Sequence, residues 1–242
     1  MPAPYLPGWL TAVNGDPLKC GRKTKKIKIL PLKVATWNIR TLLDRANSDR
    51  PQRRTALIAA ELSRYNIDLA ALSETRLAGE GELTEKSSGY SFFWSGRPPE
   101  EKREAGVGFA IKTPLLNNLV CPPKGLNDRL ATMRVPLSYG KKFATIISAY
   151  APTMTNSNEN KDRFYEELDA LIRTVPTTDK LIILGDFNAR VGCDSASWGG
   201  VLGKQGIGKC NSNGLLLLQM CARHDLLITN TVFHLPTRKK TS

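Results

Sequence analysis

Apolar residues fall along this chain in short runs broken by turn formers, and the runs carry two periods. Runs of four to eight residues rich in aliphatic and aromatic side chains predict strands at about Leu32 to Trp37, up to Ser73, Tyr90 to Trp94, Gly106 to Ile111, Leu130 to Leu137, Phe143 to Tyr150 and from Leu181 onward, with one more short strand at Leu226 to Thr229. Pro98, Pro99 and Pro114 punctuate the middle of the chain. Helical spacing appears at Arg50 to Tyr65, where Leu57, Ile58, Glu61 and Leu62 recur, at Glu159 to Arg173, with Phe164, Leu168 and Leu171 on one face, and at Gly214 to Arg223. Gly192 to Gly214 reads as a long loop. Residues 1–31 show no sustained period and are expected to be a flexible basic leader, leaving 32–242 as one domain. Hairpin-like strand pairs mixed with helices argue against a uniform β-α-β array. The pattern predicts an α+β fold of two mixed β-sheets packed as a sandwich with helices on the outside.

Composition narrows the partner. The formal net charge is +13 over 242 residues, with Lys and Arg concentrated at Lys19 to Lys33, Arg40 to Arg54 and Arg238 to Lys240. Such an excess favours a polyanion, since each neutralised phosphate releases counterions. A solvated basic surface without a ligand is the plainer alternative. Five scattered cysteines with no C-x-x-C pair suit reduced thiols of an intracellular protein better than a disulfide frame or a zinc site. No apolar run approaches the ~20 residues of a membrane helix, so no membrane is expected as a partner. The run from Arg22 to Lys28 is a candidate nuclear address or nucleic-acid arm. No obligate protein partner is evident.

Three strands end in groups that can do chemistry. Val34-Ala35-Thr36-Trp37 leads into Asn38, Ile67 to Ser73 into Glu74, and Leu181 to Gly185 into Asp186 and, two residues on, Asn188. Tyr150 closes a fourth strand before Ala151-Pro152. Each group alone has a bland explanation: a turn Asn, a surface carboxylate, or an Asp of Walker B type. Together, at the C-terminal rim of neighbouring strands, they would offer oxygen donors to a hard divalent cation and hydrogen bonds to a phosphate.

These residues also stand in motifs. Trp37-Asn38-Ile39-Arg40, Ser73-Glu74-Thr75-Arg76, Tyr150-Ala151-Pro152 and Gly185-Asp186-Phe187-Asn188 occur in the order seen in the endonuclease/exonuclease/phosphatase superfamily, which the chain resembles from about Leu32 to its end. The WNIRTL, SETR and NGLLLLQMCARHDLLITNT stretches look most like endonuclease domains of RTE-type non-LTR retrotransposons, and host proteins of the craniofacial development protein 2 type are similar. The resemblance implies a four-layer α/β/β/α fold. It implies Glu74 as the main ligand of Mg²⁺ (or Mn²⁺) with Asn38 beside it. Asp186 would orient or deprotonate the attacking water. Asn188 and Tyr150 would hold phosphate oxygens, Arg40 and Arg76 would steady flanking phosphates, and the partner would be DNA.

One departure is large. The superfamily pattern ends with a further Asp and a Ser-Asp-His strand. The chain has two histidines. His224 stands at an expected helix end, where a cation offsets the helix dipole, and His234 has no Ser-Asp before it. The expectation is a domain whose last strands are missing, with the metal half of the site kept and cleavage impaired or absent. Alternatives stay open: a phosphatase of the same superfamily acting on phosphoinositides or small phosphoesters, and a non-catalytic basic nucleic-acid-binding fragment. Gly203 to Cys210 nearly spells a P-loop, but Cys210 stands where a hydroxyl is needed and the order relative to Leu181–Asp186 is reversed.

Overall fold

The computed structural model describes residues 32–44, 53–138 and 142–234. The expected leader 1–31, with most of its basic run, and the Arg238 to Lys240 group lie outside the described residues. The described elements run β1 (Val34–Asn38), α1 (Arg54–Arg64), β2 (Leu69–Ser73), β3 (Glu80–Glu85), β4 (Tyr90–Ser95), β5 (Val107–Lys112), α2 (Thr113–Leu116), β6 (Lys124–Gly125), β7 (Leu130–Ser138), β8 (Lys142–Tyr150), α3 (Asn158–Arg173), β9 (Lys180–Asp186) and α4 (Ser212–Arg223).

They form two mixed sheets, one in the order β1-β2-β5-β4-β3 and the other β6-β7-β8-β9. In each sheet one parallel pair brings two C-terminal ends to the same rim. β1 pairs parallel with β2, Asn38 opposite Ser73, and β8 pairs parallel with β9, Tyr150 opposite Asp186. β1 packs over β9 and β2 over β8 and β9, so both rims coincide.

The layers follow from three apolar clusters. Val34, Leu69, Phe109, Ile111, Met133, Val135, Ile146 and Leu184 fill the space between the sheets. Ile58, Ala59 and Leu62 of α1 cover the outer face of the first sheet against Leu72, Tyr90, Phe92 and Ala110. Phe164, Leu168 and Leu171 of α3 and Leu217, Leu218 and Cys221 of α4 cover the second sheet against Leu130, Ile147 and Ala149. The result is the α/β/β/α order, with β2 (Leu-Ala-Ala-Leu-Ser) buried along its whole length. A strand covered on both faces has no reason to alternate, which is why it reads as one apolar run. Both long helices are capped on the loop side: Ser157 Oγ accepts from Asn160 N, and Asn211 Oδ1 from Gly214 N.

The structure differs from the sequence expectations in several places. Glu80–Glu85 is an edge strand, missed because only Leu83 marks it as apolar. The buried stripe of α1 is Thr55, Ile58, Ala59 and Leu62, whereas Leu57 is exposed and Glu61 pairs with Arg64 at the surface. Leu226 to Thr229 is not a strand. Ile228 makes a single bridge to Leu202, and Thr229–Thr231 is a turn of 3-10 helix, because the segment finds no neighbouring strand among the described residues.

Candidate active site

Asn38, Glu74, Tyr150, Asp186 and Asn188 come together on the shared rim. Asn38 is the joint. Its Nδ2 donates to Glu74 Oε1 at 2.8 Å and to Asp186 Oδ2 at 3.0 Å, so two carboxylates 112 positions apart in the chain face one amide nitrogen. The Asn38 oxygen accepts from Arg40 N at 3.1 Å. Tyr150 donates its phenol to the same Glu74 Oε1 at 3.1 Å. Asp186 Oδ1 accepts from Asn188 N at 3.0 Å, and Asn188 Nδ2 donates to Ala151 O at 2.9 Å. Each carboxylate is therefore oriented by at least two donors.

Close approach of the strands makes this possible. A Cβ on Gly185 would stand 1.8 Å from Ala149 O, so only glycine lets β9 lie this tightly on β8 just before Asp186. The turns out of the strands are also unusual. Arg40, Glu74, Arg76 and Asn188 have φ of 63°, 57°, 55° and 47°, the left-handed region that side chains with a Cβ rarely occupy. Such backbone strain persists only where surrounding contacts hold it, and it clusters at functional sites.

Electrostatics favour a standing negative charge. Burial raises the Glu74 pKa, but hydrogen bonds from Asn38, Arg76 and Tyr150 and the Arg76 charge outweigh it, leaving the carboxyl below its ordinary value. Burial and the adjacent Glu74 charge push the Tyr150 phenol up to about 12, so it stays a donor at neutral pH.

Arg76 does not extend from the site. Its Nη2 bonds Glu74 Oε2 at 2.9 Å. Arg40 is exposed beside Asn38. Two groups escaped the sequence reading. Arg129 donates Nη1 to Tyr150 O at 3.1 Å and lies 5.3 Å from the centroid of its ring. Asn213 bonds the backbone behind Asn188. Neither follows an apolar run, so no local pattern marked them. His224 caps the C-terminus of α4 and bonds Asp169 of α3 at 2.8 Å. The near-P-loop lies in irregular backbone.

Among the described residues no group of three or more His, Cys, Asp or Glu assembles. The donors at the rim are two carboxylates with amide and phenol oxygens. That set suits a hard, oxygen-seeking divalent cation and not a zinc-type centre. No helix among the described residues is long and apolar enough to cross a membrane.

Craniofacial development protein 2 of Bos taurus is 33% identical over 208 residues, covering 85% of this chain and 32% of that protein, so the chain spans about a third of the relative's length. An AP endonuclease of Leishmania major superimposes with a TM-score of 0.49 at 14% identity, covering 79% of this chain and 65% of that one. An AP endonuclease of Archaeoglobus fulgidus does so with 0.48 at 16%, covering 80% and 70%. Residues 35–238, a span that begins inside β1 and takes in every element carrying the rim, match the model of one family. The chain belongs to the endonuclease/exonuclease/phosphatase family.

Proposed function

We propose that this protein is a divalent-metal-dependent phosphodiester hydrolase acting on DNA as an endonuclease of the retrotransposon type. The observation that carries the proposal is the convergence of Glu74 and Asp186, from different sheets, on the Asn38 amide. Glu74 would hold Mg²⁺ or Mn²⁺ with Asn38 beside it, whose oxygen keeps a lone pair beyond the bond from Arg40 N. When bound, the ion supplies Lewis-acid polarisation of the phosphate and offsets charge on the leaving oxygen.

The remaining work belongs to the chain's own groups. Asp186, with one oxygen held by Asn38 and the other by Asn188 N, accepts the proton of the attacking water. Asn188 Nδ2 has a second N–H beyond the one given to Ala151 O, and donates it to a phosphate oxygen. The protonated Tyr150 phenol has one O–H, given to Glu74 in this structure, and donates it to a phosphate oxygen only by leaving Glu74. Arg40 and Arg76 meet flanking phosphates, Arg76 by leaving Glu74. His224 is committed to Asp169 and does not serve this site.

Nicking of supercoiled plasmid in Mg²⁺ or Mn²⁺ tests this reading. Nicking is expected, absent in EDTA and abolished in Glu74→Ala and Asp186→Asn. Turnover of inositol phosphates without nicking would move the assignment to the phosphatases of the family. Salt-dependent DNA binding with no hydrolysis of either substrate would make the protein a binding module.

A further inference from the structure

Asn213 is the second residue of α4 and is only 1% exposed, on the face that packs inward. An apolar side chain would fill that place without desolvating an amide. Its Nδ2 donates to Pro152 O at 2.9 Å and to Asn188 O at 3.1 Å. Its Oδ1 is buried without a hydrogen-bond partner. The amide cannot turn over, because its oxygen would then face two carbonyl oxygens. Both donors are used and the acceptor is sacrificed, an arrangement suited to a clamp.

The two carbonyls belong to the segments that leave β8 and β9 just beyond Tyr150 and Asp186. The rest of the first turn of α4 grips the same segment. Asn211 Oδ1 accepts from Arg190 N at 3.0 Å while Asn211 N donates to Arg190 O at 3.0 Å. Gly214 lets the helix approach, since a Cβ there would stand 1.8 Å from Arg190 O. Asn188 is thereby held at its backbone N–H by Asp186, at its side chain by Ala151 and at its carbonyl by Asn213.

We propose that Asn213 is a positioning residue: by donating to Pro152 and Asn188 together it fixes the spacing of the segments that carry Tyr150 and Asn188, and holds Asn188 in the left-handed turn from which its N–H orients Asp186. Asn213 touches no substrate. Without the clamp Asn188 relaxes, its N–H leaves Asp186 Oδ1, and the carboxylate turns away from the water it serves. The inference rests on the phosphodiesterase reading of the site and adds to it a residue outside the reacting groups.

Asn213→Asp keeps the shape and sets an oxygen against both carbonyls. Plasmid nicking by this variant should lose about 10²-fold in kcat with KM unchanged. Combined with Asn188→Ala it should lose no more than Asn188→Ala alone, because both act through one group. Backbone hydrogen exchange supplies a readout without turnover. The Asn188 N–H should exchange about tenfold faster in Asn213→Asp, with Leu217 and Leu218 of α4 unchanged. Should Asn213→Asp fail to fold, Asn213→Ala removes both donors without adding charge and carries the same measurements. Losses that multiply in the double variant, or an Asn188 N–H that exchanges as in the parent, overturn the proposal. If the parent cleaves no phosphodiester, the nuclease reading fails and the exchange comparison still decides whether Asn213 positions Asn188.

Discussion

Glu74 sits at φ 57° immediately past β2 and Asn188 at φ 47° two residues past the end of β9. Local bonds from Arg76 to Glu74 and from Asn188 N to Asp186 are joined by tertiary ones, Asn38 and Tyr150 to Glu74 and Asn188 to Ala151, which together offset the strain. Asp179 shows the same logic away from the rim. Its side chain is 1% exposed and receives two bonds from Arg134, at 2.7 and 2.8 Å, and one from Thr145. The Arg134 and Thr145 hydrogen bonds and the Arg134 charge outweigh burial and hold its carboxyl below the usual range. A folded pKa below the unfolded one means stability that is fully present above about pH 4 and is lost as pH falls through the lowered value. Thermal melts of Asp179→Asn should start from a lower Tm at pH 7 and decline less steeply than the parent's below about pH 4. Parallel curves would show that Asp179 titrates alike in both states.

The strands carry their residues to the rim only because they lie at particular spacings. Gly185 sets the β8–β9 spacing next to Asp186, and Gly185→Ala would put a methyl group into Ala149 O. The chain must then part the two strands or turn Asp186. We expect a destabilisation of about 1–3 kcal/mol by urea denaturation together with loss of Mn²⁺ binding by calorimetry. A variant that loses stability alone would place the tolerance elsewhere. Helix α3 behaves differently. Leu168→Ala in its buried face should cost about 2–5 kcal/mol and leave Mn²⁺ binding intact, because the helix lies on the layer behind the sheet and not at its rim. These elements were legible from apolar periodicity. Glu80–Glu85 was not, since three Glu and one Leu make a strand only by pairing with Tyr90–Ser95 in a hairpin.

For the whole molecule, the charge of +13 belongs to the sequence and not to the fold. It predicts DNA affinity that falls steeply with salt, and deletion of residues 1–31 should flatten the slope of log K against log salt by about 0.9 for each phosphate contact removed. An unchanged slope would place the contacts on the folded domain. Sequence alone determined the strand-end groups Asn38, Glu74, Tyr150, Asp186 and Asn188 and the two-sheet class, because a buried strand must be apolar along its length and the first polar residue after it marks the rim. Only the tertiary structure decided that Asn38 bridges Glu74 and Asp186, that Arg76 pairs with Glu74, that Arg129 stacks on Tyr150, and that Asn213 holds the segment behind Asn188. Those bonds join residues brought together by the packing of one sheet on the other and of a helix on a loop, and no local period in the chain records which partner across such a gap a side chain will meet.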